Sequence, residues 1–296
     1  MRKALKWIGS LLGAVLLLAL LGLAWAWIKS DRAMARRFPT DQAPLPVQAD
    51  AATLARGGHL FATRGCADCH GTHGEGKLVF DAGPVIRLVA PNITPGGRIR
   101  DYRPEQVATA IRNGVAADGR PLVFMPSPEF HELSDADTAA LVAYLASLPA
   151  SANDPGPLVV RPLARVMYAL GKFPLLPAET INQQPRVRSA PPPGPTAAYG
   201  AYIAHGCTGC HGENFAGRHV PGTPPSFPDS ANLTPAALGA WQLEDFTRAL
   251  REGKRPDGSA INTFMPWQAL GKMSDEEIAA VWAYLQALPP VQSPKK

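Results

Sequence analysis

The chain has 296 residues, 46% of them hydrophobic and 18% charged, with a formal net charge of +5, 31 prolines, 27 glycines and four cysteines. That length suits about two domains, each able to bury its own core. The low charge and the high proline and glycine content exclude a coiled coil and a mostly disordered chain but require long irregular segments. Four cysteines are too few for a disulfide scaffold.

The positive charge is concentrated at the N-terminus. Arg2, Lys3, Lys6 and Lys29 flank an apolar run, and without these four the chain holds 25 basic and 24 acidic residues. The basic footprint of a nucleic-acid binder is absent, so no nucleic-acid partner is expected. From Ile8 to Ile28 there are 21 residues without a charge. At 1.5 Å per residue a helix of this length spans roughly 30 Å, the thickness of a bilayer core. Trp7, Trp25 and Trp27 fall at its ends, where tryptophan favours the membrane interface. Residues 1–28 therefore read as a membrane anchor. The alternative is a cleaved secretory signal with Ala24-Trp25-Ala26 as its processing site, although the run exceeds a usual signal core. Residues 29–50 contain Pro39, Pro44 and Pro46 and read as a tether.

An internal repeat organises the remainder. Cys66-Ala67-Asp68-Cys69-His70 returns as Cys207-Thr208-Gly209-Cys210-His211, and Asn92-Ile93-Thr94-Pro95 as Asn232-Leu233-Thr234-Pro235. Asp118-Gly119, Phe124-Met125-Pro126, Ser134-Asp135, Tyr144-Leu145 and Leu148-Pro149 also recur, at a nearly constant offset. Two copies too long for solenoid units predict two domains of one fold, at residues 51–150 and 196–290, with a tail at 291–296.

Each copy predicts the same helices. A first helix covers 51–64 or 196–205. A second covers 104–113 or 243–252, with Pro104 at its start and Gly114 or Gly253 after its end. A third begins at Ser134 or Ser274. Glu277 completes a capping box with Ser274, and Asp137 forms a weaker one with Ser134. Ala140, Leu141, Tyr144, Leu145 and Leu148 recur at helical spacing, as do Ala280, Val281, Tyr284, Leu285 and Leu288, which marks them as core. The Gly/Pro-rich loops between helices show no strand alternation. Such loops need something to pack beneath them, and a large apolar cofactor would serve.

C-x-x-C-H is the attachment signature of c-type haem. Two thiols add across the porphyrin vinyl groups, and the adjacent imidazole meets the iron. Cys66, Cys69, Cys207 and Cys210 are the expected attachment residues, with His70 and His211 as iron ligands, giving two covalently attached haem c groups. Two other readings of these cysteines are a shared four-cysteine zinc site and a redox dithiol. The first sets the pairs far apart with a histidine after each, and the second lacks a surrounding βαβ pattern. Met125 and Met265 sit in matching Phe-Met-Pro segments and are the candidate sixth ligands, since His/Met ligation raises the potential of haem iron. Met167 and Met273 read as packing residues. His59, His73, His131, His205 and His219 have no repeat mates and are expected on the surface or around the sites. Asn92 and Asn232 are candidates for haem propionates or for a backbone turn. A carbonyl near Pro84, and near Pro224 or Pro225, is expected to accept the ligand histidine's Nδ1–H.

Each repeat resembles a class I cytochrome c domain. The first helix, the C-x-x-C-H motif, the distal methionine and the last helix ending Tyr-Leu-x-x-Leu-Pro carry the likeness. The Asn92–Pro95 and Asn232–Pro235 loops, with Gly114 and Asp118-Gly119, resemble the cytochrome subunits of membrane-bound alcohol, aldehyde and gluconate dehydrogenases. The resemblance implies an all-α fold, two tandem class I cytochrome c domains after one N-terminal transmembrane helix. This chain departs from that group in carrying two haem motifs where three are typical, and an N-terminal rather than a C-terminal membrane segment.

Residues 151–195 join the domains. Arg161, Arg165, Lys172, Arg186 and Arg188 outweigh Asp154 and Glu179, so the segment reads as a basic strap. Its cations are either solvated, paired with propionates, or part of a docking patch. Pro162 predicts a short helix through Leu170, ended by Gly171.

The expected function is that of a membrane-tethered electron carrier rather than an enzyme, with no catalytic residue. Its partners would be redox proteins, dehydrogenase or oxidase subunits, and its haem domains would face the periplasm, with Met1–Lys6 in the cytoplasm. The competing class is a dihaem enzyme, such as a peroxidase, with one displaceable sixth ligand. A cysteine-ligated thiosulfate-oxidising enzyme has no cysteine left for that role, and a haem sensor has no output domain.

Overall fold

A computed structural model of the chain describes residues 2–40, 44–184 and 187–294. Met1 of the basic N-terminus, Arg186 of the strap, and Lys295 and Lys296 of the tail lie outside these described residues. The fold is mostly helical. Helix α1 (Arg2–Ala35) is long and apolar enough to cross a membrane, with a mean hydropathy of 2.4 over its most apolar stretch.

The first domain contains α2 (Ala51–Thr63), α3 (Cys66–His70), β1 (Lys77–Asp81), β2 (Ile86–Ala90), α4 (Pro104–Asn113), α5 (Ser127–Phe130) and α6 (Asp135–Ser147). The connecting strap carries β3 (Val159–Val160), α7 (Pro162–Ala169) and a single 3-10 turn at Pro177–Glu179. The second domain contains α8 (Ala197–Ala204), a 3-10 turn at His205–Cys207, α9 (Thr208–His211), α10 (Pro235–Leu238), α11 (Leu243–Glu252), α12 (Trp267–Leu270) and α13 (Asp275–Ala287).

Local chemistry sets the helix ends. The Asp50 carboxylate accepts from Thr53 N–H at the start of α2. Pro104 opens α4, and Gly114 and Gly253 close α4 and α11 at φ 65°, the left-handed conformation that favours glycine. Ser274 and Glu277 form the reciprocal capping box of α13. Ser134 caps α6 in the same way, but the Asp137 carboxylate turns away to Arg56.

In each domain the first and last helices cross at a glycine. A Cβ on Gly57 of α2 would collide with the Ala140 carbonyl of α6, and one on Gly200 of α8 with the Ala280 carbonyl of α13. This close approach lets Leu60, Phe61, Leu141 and Leu145 share one core, and Ile203, Phe246, Ile278 and Leu285 another. Met273 is buried in the second core.

Two features depart from the sequence expectation. A three-stranded antiparallel sheet, ordered β1-β2-β3, occupies the loop after the first Cys motif and ties it to the strap. β2 shows no alternation because it is almost wholly buried, and the β1–β2 register shifts between Leu78 and Phe80. The expected tether is also helical as far as Ala35. Its first residues dock on α7. Lys29 Nζ donates to the Ala169 carbonyl at 2.7 Å, and Arg165 pairs with Asp31 at 2.6 Å. The strap has a core of its own, in which Phe173, Leu175, Leu176 and Ala164 pack with Ile86 and Leu88. Two of its cations, Arg161 and Arg165, are engaged by protein groups, while Lys172 is exposed. Arg161 binds Asp81 and the Gly83 carbonyl, Arg165 binds Ser30 and Asp31, and the Arg188 main chain exchanges hydrogen bonds with Asp135.

Candidate functional site

The first Cys motif is one short helix, the second runs from a 3-10 turn at Cys207 into α9, and each ends at a glycine of positive φ, Gly71 or Gly212. None of the four cysteines is paired in a disulfide. Burial pushes the Cys66 and Cys207 thiols up to about 12, and Cys69 and Cys210 move in the same direction for the same reason. Among the described residues no three His, Cys, Asp or Glu side chains converge on a common metal site.

The two histidines are held alike. His70 Nδ1 lies 2.9 Å from the Pro91 carbonyl, and His211 Nδ1 lies 2.7 Å from the Ala231 carbonyl. A carbonyl only accepts, so Nδ1 carries the proton and Nε2 keeps its lone pair. Burial lowers both imidazole pKa values and so favours the neutral form that binds a metal. These carbonyls are not at Pro84 or Pro224–Pro225. They belong to the residues just before Asn92 and Asn232, so the repeated Asn-x-Thr-Pro turn was the signal that could have located them.

That turn is built by the asparagines themselves. Asn92 Oδ1 accepts from Thr94 N–H at 3.0 Å and from the Thr94 hydroxyl at 2.7 Å, while its Nδ2 donates to the Ser151 and Asn153 carbonyls. Asn232 does the same with Thr234 and with the Val291 carbonyl. Of the two roles expected for these side chains, the backbone turn is the one formed. It clips the segment beyond each last helix onto the loop that holds the histidine.

In the second domain Cys207, Cys210, His211 and Met265 line one cavity of about 250 Å³, closed largely by apolar residues such as Leu233, Phe246, Leu250 and Leu285. In the first domain Cys66 and Met125 both pack against the edge of the Leu60–Leu145 core. A protonated Nδ1 opposite a carbonyl, two thiols within one helical turn and a thioether on the same apolar wall fit a covalently bound, axially ligated haem.

The surroundings of the two methionines differ. Phe124 adopts φ 66°, is held by its N–H donating to the Leu175 carbonyl at 3.0 Å, and packs between Phe80 and Phe173. Strap and sheet thus cover the loop that presents Met125. The matching Phe264 is 49% exposed and meets the Phe227 ring edge-on.

Sequence reasoning missed Glu129. On α5, just after Met125, it projects into the second domain, where its carboxylate lies against Gly209 and lines the cavity of Cys207 and Cys210. Burial pushes this carboxyl up to about 7. Glu129 aligns with Ala269 in the repeat, and that asymmetry was its one signal. Arg64, two residues before Cys66, also crosses the boundary and donates to the Ile203 carbonyl at 2.7 Å. The remaining histidines are structural in placement. His59 pairs with Glu277, His131 Nδ1 lies 3.0 Å from the Arg112 carbonyl, His205 contacts the Pro128 carbonyl, and His219 lies beside Asp229. The His73 backbone N–H donates to Glu75.

Helices closing around a C-x-x-C-H turn and a methionine loop, twice in one chain, define a class of haem-binding electron-transfer domain. The chain belongs to the cytochrome c family, whose profile, described as Cytochrome c, matches residues 54–149 and 197–289. It is 29% identical over 280 residues to the gluconate 2-dehydrogenase cytochrome c subunit of Pantoea cypripedii, covering 81% of this chain and 60% of that protein. It is 27% identical over 276 residues to the cytochrome c subunit of the quinone alcohol dehydrogenase of Gluconacetobacter polyoxogenes, covering 82% and 57%. A shorter match, 32% over 149 residues, joins it to the fructose dehydrogenase cytochrome subunit of Gluconobacter japonicus, covering 45% and 30%. The chain thus spans less than two thirds of the length of these relatives.

Proposed function

We propose that this chain is a membrane-anchored dihaem electron carrier, serving as the cytochrome c subunit of a dehydrogenase and passing electrons towards a respiratory acceptor, with its domains on the periplasmic side. Cys66 and Cys69 would attach one haem and Cys207 and Cys210 the other, with His70 and Met125, and His211 and Met265, as the residues that would hold the iron. The bound haem supplies a one-electron iron couple. The chain's own contribution is to fix each imidazole tautomer through Pro91 or Ala231, to supply a thioether from the Phe-Met-Pro loop, and to exclude water with an apolar wall.

The observation that carries this reading is the duplicated geometry at His70 and His211, each with its Nδ1–H tied to the residue before the same Asn-x-Thr-Pro turn. The dehydrogenase partner rests on the relatives, which are described as cytochrome subunits of dehydrogenases. The test is haem content and ligation in the full-length protein. Two haems per chain by the pyridine haemochrome assay, both with the thioether-to-iron absorption band when oxidised, support the carrier. One haem per chain, or a high-spin haem that turns over peroxide, overturns it.

A further inference from the structure

We propose that strap helix α7 is a second membrane-contact element, lying in the lipid headgroup boundary beside α1 and seating the first domain against the bilayer. The proposal rests on reading α1 as the membrane anchor.

Along α1, Ala26 and Ser30 are the buried positions. They lie one helical turn apart on one face, and α7 packs against this end of the helix. The junction is specific. Arg165 donates to Ser30 Oγ at 2.8 Å, pairs with Asp31 at 2.6 Å, and stacks its guanidinium 4.0 Å above the Trp27 ring, while Lys29 holds the Ala169 carbonyl at the end of α7. Ala33 and Met34 continue the contact into the strap core.

The depth of the junction follows from the sequence. Ala26, 1% exposed, lies inside the uncharged run that ends at Ile28, about 3 Å inside it at the helical rise. A strap packed at this level stands where the hydrocarbon core gives way to headgroups, the depth that Trp25 and Trp27 favour. There Leu163 of α7 is 43% exposed and Leu170, the residue that caps α7, is 61% exposed, on an element that packs directly against α1. Moving these apolar side chains out of water is favourable.

The neighbouring charges suit lipid. Lys172, Arg32 and Arg36 are exposed around the junction, and cations there attract anionic headgroups. Three nearby carboxylates are occupied, Asp31 by Arg165, Asp81 by Arg161 at the start of α7, and Glu179 by the Tyr168 hydroxyl. An interfacial helix with leucines inward and cations at the rim is a recognised mode of membrane contact. The occupant is therefore the bilayer that α1 already enters, and the first domain is seated rather than hung on a flexible tether.

The test uses the full-length haem-loaded protein in phosphatidylcholine–phosphatidylglycerol vesicles containing a lipid with a photoactivatable diazirine in its acyl chain. After illumination, peptides are mapped by mass spectrometry. Adducts are expected on residues 8–28 and also on the peptide bearing Leu163 and Leu170. In the double variant Leu163→Ser/Leu170→Ser the α7 adducts should be lost while those on α1 and the haem content persist. Adducts on α1 with none on α7 overturn the proposal and leave the anchor intact. Adducts on neither segment overturn the anchor reading, and the proposal with it.

Discussion

Asp137 and Glu277 occupy the same position in the last helix of their two domains, and one guanidinium holds both. Arg56 on α2 binds Asp137 through Nε at 2.8 Å and Nη2 at 2.9 Å, and reaches Glu277 of the other domain through Nη1 at 3.2 Å. His59, one turn further on, meets the second oxygen of Glu277 at 2.6 Å. Tyr202 of the second domain donates to Asp137 at 2.7 Å. The duplicated helices are therefore joined near their N-termini by a charged cluster that uses the carboxylates of the two capping positions, and Glu129 and Arg64 join the domains again beside the Cys motifs.

Arg56→Ala should weaken this junction. It leaves the buried Asp137 and Glu277 carboxylates without their shared guanidinium, and charge-assisted hydrogen bonds of this kind contribute about 1.5–3 kcal/mol. Calorimetry of the haem-loaded protein should show a lower Tm and a separation of the two domain transitions. Arg56→Lys should recover only part of the loss, because an ammonium cannot fork to two carboxylates. An unchanged thermogram for Arg56→Ala would show that the cluster contributes nothing to domain coupling.

The same cluster predicts an acid limb. Burial alone would raise the Glu277 pKa, but the His59 hydrogen bond, the Ser274 backbone and the Arg56 charge outweigh it and hold the carboxyl at about 2, against an ordinary value of 4.5. The unfolded chain then binds this proton more tightly than the folded one, so the stabilisation is complete above about pH 5 and is lost as pH falls towards 2. Its upper bound is about 3 kcal/mol. Asp137, lowered in spite of burial by Arg56 and Tyr202, adds to the same limb. Urea midpoints measured through this range should fall steeply for the natural chain and less steeply for Glu277→Gln. Equal slopes would sink the assignment.

What the sequence made legible was local or repeated. Pro104, Gly114, Ser134 and Ser274 act within one helical turn of themselves, so helix ends could be read directly. The repeat singled out the Cys motifs and the methionine loops. The sheet was hidden because β2 pairs with β1 on one side and with the distant β3 on the other and is buried. Arg56, His59 and Glu129 were hidden for a related reason. Each has a partner across a domain boundary, at separations of up to 221 residues, and no repeat mate marks them. The docked end of α1 depends likewise on Arg165, 134 residues away from Asp31.

The glycine crossings give a test of the cores. Gly57→Ala and Gly200→Ala each place a methyl group against a backbone carbonyl that cannot move without displacing a whole helix. Overpacking of this kind typically costs 1–3 kcal/mol. Each variant should destabilise its own domain and lower its haem incorporation, whereas Gly58→Ala, whose nearest neighbours are Tyr144 ring atoms, should be milder. Comparable Tm values for Gly57→Ala and Gly58→Ala would contradict this account of the helix crossing.

The two methionines should prove separable. Met125→His and Met265→His each replace a thioether by an imidazole and should lower the midpoint potential of one haem while leaving both covalently attached. The loop carrying Met125 is pinned by Phe124 between Phe80 and Phe173 and by the Leu175 carbonyl, whereas Phe264 is half exposed. Phe173 also lies against Gly222 of the second domain, so Phe173→Ala should loosen the first site more than the second, reducing the thioether-to-iron band of the first haem and lowering its potential further than that of the second. Spectroelectrochemical titration of the three variants checks this. A potential unmoved by Met125→His or Met265→His would show that the methionine concerned is not the ligand, and equal shifts of both haems in Phe173→Ala would show that the strap does not act chiefly on the first site.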